Sequence, residues 1–394
     1  MTLKCPSDPV NLYDDAVIRN PWPHYARLRD LGPVVWLESL GNYAFTQYDT
    51  VRNGLRDHET FVSSLGAAAD EYGCTHQRGN TVASDQPRHT TLRNAILPPL
   101  TMGNVAALKP RIQAVADEIV DACVQKGQFE AITDLAQPLP LTVVRELIGL
   151  PDFGRENMLK WASAAFDMQG IQNARGQAAR PVIAQMREFI TKETTPDKLK
   201  SGSWAHRISE MAASGDLDPE LAPFAIRDYI NPSLDTTISA IGHFVYHIGS
   251  NPQIWDHLKA NPELALSAAH EAIRIGTPIR SFSRHTSKDV EVAGHLLPKG
   301  ARVMMLYASA NRDESVFPQA DHFDIERRNV RRHLAFGAGI HMCAGMHLAL
   351  LEIECLIRAM TQRISAFEIG EPQVAMNNSI CAFANLPVQI HTKV

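Results

Sequence analysis

Residues 336–345 read Phe-Gly-Ala-Gly-Ile-His-Met-Cys-Ala-Gly, and this stretch decides the fold prediction. Gly337 and Gly339 allow tight turns and a close approach of the backbone to a flat ligand. Apolar residues recur at helical spacing after Cys343, so its sulfur is expected near the amino terminus of a helix. Free N–H groups and the helix dipole stabilise a thiolate at that position. A thiolate held by backbone donors suits an axial ligand to iron.

Other sites that use glycine, histidine or cysteine fit this stretch less well. A dinucleotide-binding loop would need glycine where Met342 stands. A zinc site would need ligands beyond His341 and Cys343, and the neighbouring sequence offers none at the usual spacing. A catalytic Cys–His pair stays open, but it does not explain the glycines. By average composition the motif arises by chance in about one chain per million, so it is specific.

Composition and charge exclude several classes of protein. The chain has 394 residues, 45% of them hydrophobic, and a net charge of -5, which disfavours nonspecific nucleic-acid binding. No apolar run reaches the roughly 18 residues of a membrane span, and residues 1–13 do not resemble a signal peptide. The six cysteines are scattered and form no C-x-x-C pair, which disfavours both a disulfide framework and a four-thiolate zinc site. We therefore predict a cytoplasmic protein that binds neither nucleic acid nor membrane.

Helix signals dominate the chain, and no repeat or linker divides it. Residues 218–249 carry an apolar stripe at helical spacing, which predicts one central helix of about thirty residues. Short strand signals fall at residues 34–37 and 43–46, which predict a hairpin, and at 290–292 and 302–306. The prediction is a single, mainly α domain over residues 1–394, with a small β region at roughly 30–60 and 280–310.

The decapeptide at residues 336–345 resembles the haem-binding signature of the cytochrome P450 family, the haem-thiolate monooxygenases. The resemblance implies haem b as cofactor, with Cys343 as the metal ligand and Phe336 and Gly337 beside the cofactor. It also implies the family's fold, in which the haem lies between a long central distal helix and the proximal cysteine loop with its helix.

Two further motifs extend the resemblance over most of the chain. Glu271 and Arg274 match the family's E-x-x-R pair, and their spacing of three places both on one helix face. Arg327, in the segment before the cysteine loop, is similar to the arginine that joins this pair. Residues 85–93 resemble the family's D-x-P-x-H-T-x-L-R segment.

The resemblance assigns four side chains to the haem propionates, namely His89, Arg93, Arg284 and His341. Two buried carboxylates need paired donors, and these four residues supply them. Taken singly, each of the four is also compatible with an ordinary surface or capping residue.

Residues 231–237, Asn-Pro-Ser-Leu-Asp-Thr-Thr, resemble the family's A-G-x-[DE]-T-T segment over the distal haem face. Asp235 and Thr236 match the acid and the alcohol that deliver the two protons consumed in dioxygen cleavage. The alternative is that Thr236 only bonds back to the carbonyl of Pro232. Pro232 and Ser233 replace the usual Ala-Gly, and Pro232 predicts a kink, because it leaves the carbonyl of Asp228 without its helical partner.

The substrate pocket is predicted from segments that line it in relatives. Strand alternation places Arg280, Phe282 and Arg284 on one face and Ile279 on the other. The predicted pocket residues are Ser233, Ile279, Arg280, Phe282 and Arg78. We expect Arg280 or Arg78 to attract an acidic or phenolic group of the substrate; the alternative is a surface or propionate-bound arginine.

Short segments of the chain are similar to bacterial P450s that act on small aromatic acids and ethers. We therefore predict hydroxylation or O-dealkylation of a small, mostly apolar, possibly aromatic substrate with O2. Electrons would come from a ferredoxin and its reductase, and the ferredoxin would dock on the basic cluster formed by Arg327, Arg328, Arg331 and Arg332. A peroxide-dependent peroxygenase and a non-enzymatic haem-binding or sensor protein are the alternatives.

Overall fold

The computed structural model of the protein describes residues 5–392, so the expectation for the amino terminus falls in part, at residues 1–4, outside them. The fold is mainly helical. The α-helices are α1 Asp15–Arg19, α2 Trp22–Leu31, α3 Tyr48–Arg56, α4 Glu71–Gln77, α5 Arg88–Ile96, α6 Met102–Ala106, α7 Lys109–Lys126, α8 Pro138–Ile148, α9 Asp152–Met168, α10 Ala174–Glu193, α11 Trp204–Ser214, α12 Ala222–Ile230, α13 Asp235–Ser250, α14 Pro252–Ala260, α15 Ala265–Gly276, α16 Tyr307–Ala310 and α17 Met346–Arg363.

The strands are short and gather mostly into two sheets. They are β1 Ser7–Asp8, β2 Val34–Leu37, β3 Asn42–Phe45, β4 Phe61–Val62, β5 Gln128–Glu130, β6 Phe282–Thr286, β7 Val290–Val292, β8 His295–Leu297, β9 Arg302–Met305, β10 Ile364–Ile369, β11 Gln373–Val374, β12 Phe383–Asn385 and β13 Pro387–Thr392.

The largest sheet joins the two β regions predicted from the sequence, in the order β1-β2-β3-β9-β6-β4. The predicted hairpin is present as the antiparallel pair β2 and β3, with Val34 opposite Phe45. Strand β9 runs parallel to β3, so the chain returns to this sheet after its helical part. The sheet β10-β13-β5 near the carboxyl end was not predicted.

The structure differs from the predicted central helix in two respects, and the first is that the helix is interrupted. Helix α12 ends at Ile230 and α13 begins at Asp235, with Leu234 at φ -108° and ψ -69° between them. Pro232 explains the interruption, since it lacks the N–H of a continuous helix and its ring crowds the preceding turn. The start also differs: residues 219–221 form a turn, and α12 begins at Ala222.

The interior of the helical part is built around α13, α15 and α17. Ile241, Val245 and Ile248 of α13 are at most 1% exposed, so the apolar stripe of the sequence is a core face. Helix α17 packs along α7 and against α15. Among residues 5–392, no helix combines the length and apolar character that crossing a membrane requires.

A buried ion triad fixes the segment that leads to the cysteine loop. Both nitrogens Nε and Nη2 of Arg274 lie 2.7 Å from Glu271 carboxylate oxygens, and Arg327 Nε lies 3.1 Å from Glu271 Oε1. Glu271 and Arg274 are 0% exposed. Arg274 Nη1 also donates to the carbonyls of Asn311 and Ala320, both at 2.8 Å. Helix α15 is thereby tied to residues 311–327, as the E-x-x-R motif predicted.

Candidate active site

One large cavity lies between the α12–α13 break and the cysteine loop. It encloses about 1720 Å³ of space that protein atoms do not fill, a volume that includes open solvent at its mouth. Cys343, Phe336 and Gly337 line it from the loop, and Ser233 and Thr236 line it from the break. The cysteine loop and the α12–α13 break therefore line one shared cavity.

The cysteine loop presents the Cys343 sulfur to this cavity. Its backbone N–H donates to the carbonyl of Phe336 at 2.8 Å, which closes the loop. The N–H groups of Gly345 and Met346, at the start of α17, donate to the sulfur. Burial raises the pKa of the Cys343 thiol, and these donors with the nearby Arg93 cation oppose the rise. A metal that binds the sulfur would displace its proton.

Gly339 is required by the position of the loop. Its φ of +73° lies in the left-handed region, and a Cβ atom there would stand 2.6 Å from the carbonyl oxygen of Leu55 in α3. The loop thus lies directly on the backbone of α3, and no side chain fits between them.

Four donors predicted for the haem propionates gather at the cavity. Arg93, Arg284 and His341 line it, and the rings of His89 and His341 are 4.4 Å apart between centroids. Arg284 is 2% exposed and His89 is 4% exposed. Arg93 Nη2 also contacts the carbonyl of Met342, the residue before Cys343. Sequence reasoning therefore selected residues that the fold brings together from three separate segments, namely α5, β6 and the cysteine loop.

The donor set fits a dianionic ligand. Burial and the cation of Arg284 lower the pKa of His341 to about 2, so the imidazole is uncharged in the absence of an anion. Both ring nitrogens of His89 and the Nε2 atom of His341 are buried without a hydrogen-bond partner among the residues described. Unpaired buried donors of this kind are costly and are satisfied by a ligand that carries acceptors. Two carboxylates beside a thiolate site are what haem b provides.

At the distal side, two hydroxyls take the place of backbone donors lost at the break. Ser233 Oγ donates to the carbonyl of Tyr229, and Thr236 Oγ1 donates to the carbonyl of Pro232 at 2.8 Å. The alternative considered for Thr236 is therefore the contact observed. The same hydroxyl oxygen keeps acceptor capacity toward the cavity.

Asp235 follows the break but does not appear among the cavity-lining residues. Burial, and secondarily the negative charge of Asp167, raise its pKa to about 7. A carboxyl group with this pKa exchanges protons readily near neutral pH. Its placement next to Thr236 in the chain, rather than in the cavity, suits a proton relay from behind the hydroxyl.

Two residues that were predicted to line the pocket, Arg280 and Arg78, do not line the cavity. Arg280 Nη2 donates to the carbonyls of Asn377 and Ile380, which ties the guanidinium to the 377–381 loop instead of the cavity. Arg78 pairs with Glu71 at 3.0 Å and lines a separate recess with Arg187 and Arg227.

The alternation argument failed because residues 279–281 are not a regular strand. Ile279 forms only an isolated bridge with Ile380, and β6 begins at Phe282. Ile279 and Phe282 both line the cavity, as does Ser233, so these three predicted pocket residues lie where they were expected.

Sequence reasoning missed several polar residues in the cavity wall. Asp228, Gln169, Asn231 and Glu352 all line it. Glu352, in α17, is 1% exposed, has an unpaired Oε1 atom, and has a pKa raised to about 8 by burial alone. The sequence signal that could have indicated this position for Asp228 is its separation of four residues from Pro232, which places both on one helix face.

The basic cluster before the cysteine loop is only partly available to a partner. Arg327 is buried in the ion triad, whereas Arg328, Arg331 and Arg332 are exposed. Arg332 also lies over the ring of Tyr48, at 5.4 Å from its centroid. Three of the four arginines could therefore contact another protein.

Cys381 is a buried cysteine whose sulfur lies in a different loop from that of Cys343. Its sulfur faces His243 Nε2 at 3.8 Å, and burial raises the pKa of its thiol. Its loop is the one that holds Arg280, and the cavity is lined by Cys343 instead.

Comparison with known proteins agrees with these features. The family model "Cytochrome P450" matches residues 167–394. The chain is 32% identical to cytochrome P450 CYP199A2 of Rhodopseudomonas palustris over 376 residues, covering 94% of this chain and 91% of that protein. It is 29% identical to linalool 8-monooxygenase of Pseudomonas putida, covering 88% and 90% of the two chains. The structure of P450BioI in complex with a ligated acyl carrier protein superposes with a TM-score of 0.83 at 26% identity, covering 96% and 100%.

Proposed function

Since the chain belongs to the cytochrome P450 family of haem-thiolate monooxygenases, we propose that it uses O2 to hydroxylate or O-dealkylate a small, mostly apolar substrate. The observation that carries the proposal is the single cavity that contains Cys343, the propionate donors, Ser233 and Thr236. When bound, the family's haem b supplies the dioxygen-activating redox chemistry.

The residues of the loop hold the cofactor in this proposal. Cys343 would hold the haem iron through its sulfur, and the N–H groups of Gly345 and Met346 would moderate the charge on that sulfur. Arg93, Arg284, His341 and His89 would bind the propionates, because they are the cationic and imidazole side chains that gather at the cavity. Phe336 and Gly337 line the cavity beside Cys343.

Thr236 and Asp235 deliver protons. The Thr236 hydroxyl, held by the Pro232 carbonyl, accepts a hydrogen bond from water in the cavity. Asp235, whose pKa is raised to about 7 by burial, passes protons to that water. The Ser233 hydroxyl stabilises the break through its hydrogen bond to the Tyr229 carbonyl.

Apolar side chains limit the substrate to a compact shape. Phe166, Phe282, Ile279, Ala240 and Leu100 line the cavity. These residues offer an apolar surface to the carbon skeleton, while the hydrophobic effect supplies most of the binding free energy.

Electrons come from an external ferredoxin and its reductase. The exposed Arg328, Arg331 and Arg332 precede the cysteine loop and would attract an acidic protein to the thiolate side. The ferredoxin partner, the single-domain organisation and the cytoplasmic location remain predictions from the sequence.

The test is purification with haem, followed by reduction under carbon monoxide and turnover with a surrogate ferredoxin, its reductase and NADH under ¹⁸O2. We expect a thiolate-type carbonyl spectrum. Hydroxylation should place one ¹⁸O atom in each product molecule, and O-dealkylation should place it in the released aldehyde, while the second oxygen atom of O2 leaves as water in both reactions. Product formed with hydrogen peroxide alone, and none with NADH and O2, would instead favour a peroxygenase. A colourless protein, or an imidazole-type carbonyl spectrum, would contradict the proposal.

A further inference from the structure

The cavity wall contains a carboxylate that the proposed chemistry does not use. Asp228 is in α12, two turns before α13, and it lines the cavity. Its side chain is enclosed by protein, and its partial exposure faces this cavity. Thr81 donates to Oδ2 twice, through its N–H at 3.1 Å and through its hydroxyl.

The other carboxylate oxygen of Asp228 is available. Within residues 5–392, no side chain or backbone N–H donates a hydrogen bond to Oδ1. Burial raises the pKa of this carboxyl group, and the contacts from Thr81 and the cations of Arg227 and Arg93 only partly offset the rise. A ligand that donates a hydrogen bond to Oδ1 would therefore satisfy a group that the protein leaves incomplete.

The cationic side chains of the cavity are assigned to the haem propionates and are not available to a substrate. Of the described side chains that line it, the cationic or titratable nitrogen bases are Arg93, Arg284 and His341, and all three are assigned to the haem propionates. Arg227, the neighbour of Asp228, lies in the separate recess with Arg78 and Arg187. A substrate carboxylate would thus find no free cation in the cavity and would meet the charge of Asp228.

Other polar atoms nearby have the same character. Asn231 Oδ1 and Gln169 Oε1 belong to cavity-lining residues, and both are buried without a donor among the residues described. The distal wall is therefore rich in acceptors, with apolar side chains such as Phe166 and Phe282 between them.

We propose that Asp228 determines specificity by accepting a hydrogen bond from a hydroxyl, phenol or protonated amine of the substrate, and that the site rejects carboxylate substrates. This inference rests on the proposed function and names the substrate class of the same cavity. It replaces the expectation that Arg280 or Arg78 attracts an acidic group of the substrate. It keeps the expectation of a phenolic group on the substrate, which here donates to Asp228.

The test uses 4-phenylimidazole, whose ring nitrogen binds haem iron and so gives an optical titration for any accessible haem. Three derivatives carry an aminomethyl, a hydroxyl or a carboxyl group at the para position of the phenyl ring. In the wild-type holoenzyme we expect the aminomethyl probe to bind at least about tenfold more tightly than the carboxyl probe, as a charge-assisted hydrogen bond allows. Asp228→Asn should reduce this ratio to about threefold or less, while unsubstituted 4-phenylimidazole keeps its affinity.

The control is Asp197→Asn, which neutralises an exposed aspartate outside the cavity and should keep the wild-type ratio. Equal or tighter binding of the carboxyl probe by the wild type would overturn the inference without requiring any variant to fold. An unchanged ratio in Asp228→Asn would also overturn it. Failure of unsubstituted 4-phenylimidazole to change the spectrum would instead contradict the proposed function itself.

Discussion

The hydroxyl of Thr236 donates to the carbonyl oxygen of Pro232 at 2.8 Å, across the break between α12 and α13. The contact has two effects. It satisfies a carbonyl that the interrupted helix leaves without a backbone donor, and it fixes the hydroxyl oxygen at the cavity wall. The distorted helix and the position of the alcohol therefore depend on the same hydrogen bond.

Replacing Thr236 with valine should uncouple electron consumption from product formation. Valine keeps the branched shape but removes the hydroxyl, so water loses its partner in the cavity. We expect the product formed per NADH to fall by about tenfold or more, with substrate affinity nearly unchanged. Thr236→Ser should restore most of the coupling; equal coupling in all three proteins would exclude a role for the hydroxyl.

Cys343 and Cys381 provide a matched comparison for the metal ligand. Cys343→Ser should abolish the thiolate-type spectrum of the ferrous carbonyl adduct, because serine does not supply a soft thiolate ligand. Cys381→Ser should keep that spectrum, since Cys381 faces His243. The opposite pattern, with the spectrum lost only in Cys381→Ser, would show that Cys381 and not Cys343 is the metal ligand.

Glu271→Gln should destabilise the protein strongly. The substitution leaves Arg274 and Arg327 without their counter-charge at a site where Glu271 and Arg274 are 0% exposed. Breaking a buried ion pair costs about 3–5 kcal/mol, measurable by urea unfolding of the holoenzyme. The exposed Glu371→Gln should change the free energy of unfolding by less than about 0.5 kcal/mol.

Glu352 predicts a pH dependence of stability. Burial raises its pKa from 4.5 to about 8, so folding disfavours its charged form. Glu352 therefore lowers the free energy of unfolding by an amount that grows as pH rises from about 4.5 to about 8 and is constant above that range. Glu352→Gln removes the titration.

The stability of Glu352→Gln relative to wild type should accordingly increase by about 1 kcal/mol per pH unit between pH 5 and 8. Urea titrations of both proteins across pH 5–9 measure this difference. A difference that does not vary with pH would mean that the carboxyl group is solvated or paired in the folded protein.

Reversing Arg331 and Arg332 to glutamate should raise the apparent KM for ferredoxin about tenfold at low salt, and less at high salt, since exposed charges are screened. The spectrum of the haem should not change. A matched control is the double reversal of Arg19 and Lys160, which are exposed elsewhere on the surface. The same KM in both double variants would place the ferredoxin on another face.

Local motifs allowed much of the site to be predicted from the sequence. Glycine, histidine and cysteine at fixed spacing specify the loop at residues 336–345, and the spacing of Glu271 and Arg274 specifies their pair. These features depend on neighbours in the chain, and the structure places the corresponding residues where the motifs imply.

The errors arose where the outcome depends on distant partners. Arg280 was assigned by strand alternation, but carbonyls of the 377–381 loop bind its guanidinium. Pro232 was expected to kink a helix, and hydroxyls from Ser233 and Thr236 allow a complete break instead. Asp228 was missed, because its use depends on Thr81, which lies 147 positions earlier in the chain.

The contact between Gly339 and the Leu55 carbonyl has a consequence for biosynthesis. The loop bearing the sulfur lies against α3, a helix that is translated well before the loop itself. The thiolate therefore acquires its final geometry only after α3 and the loop at residues 336–345 have met. We expect nascent chains that stop before residue 336 not to bind haem. Cofactor binding should therefore follow the translation of the cysteine loop.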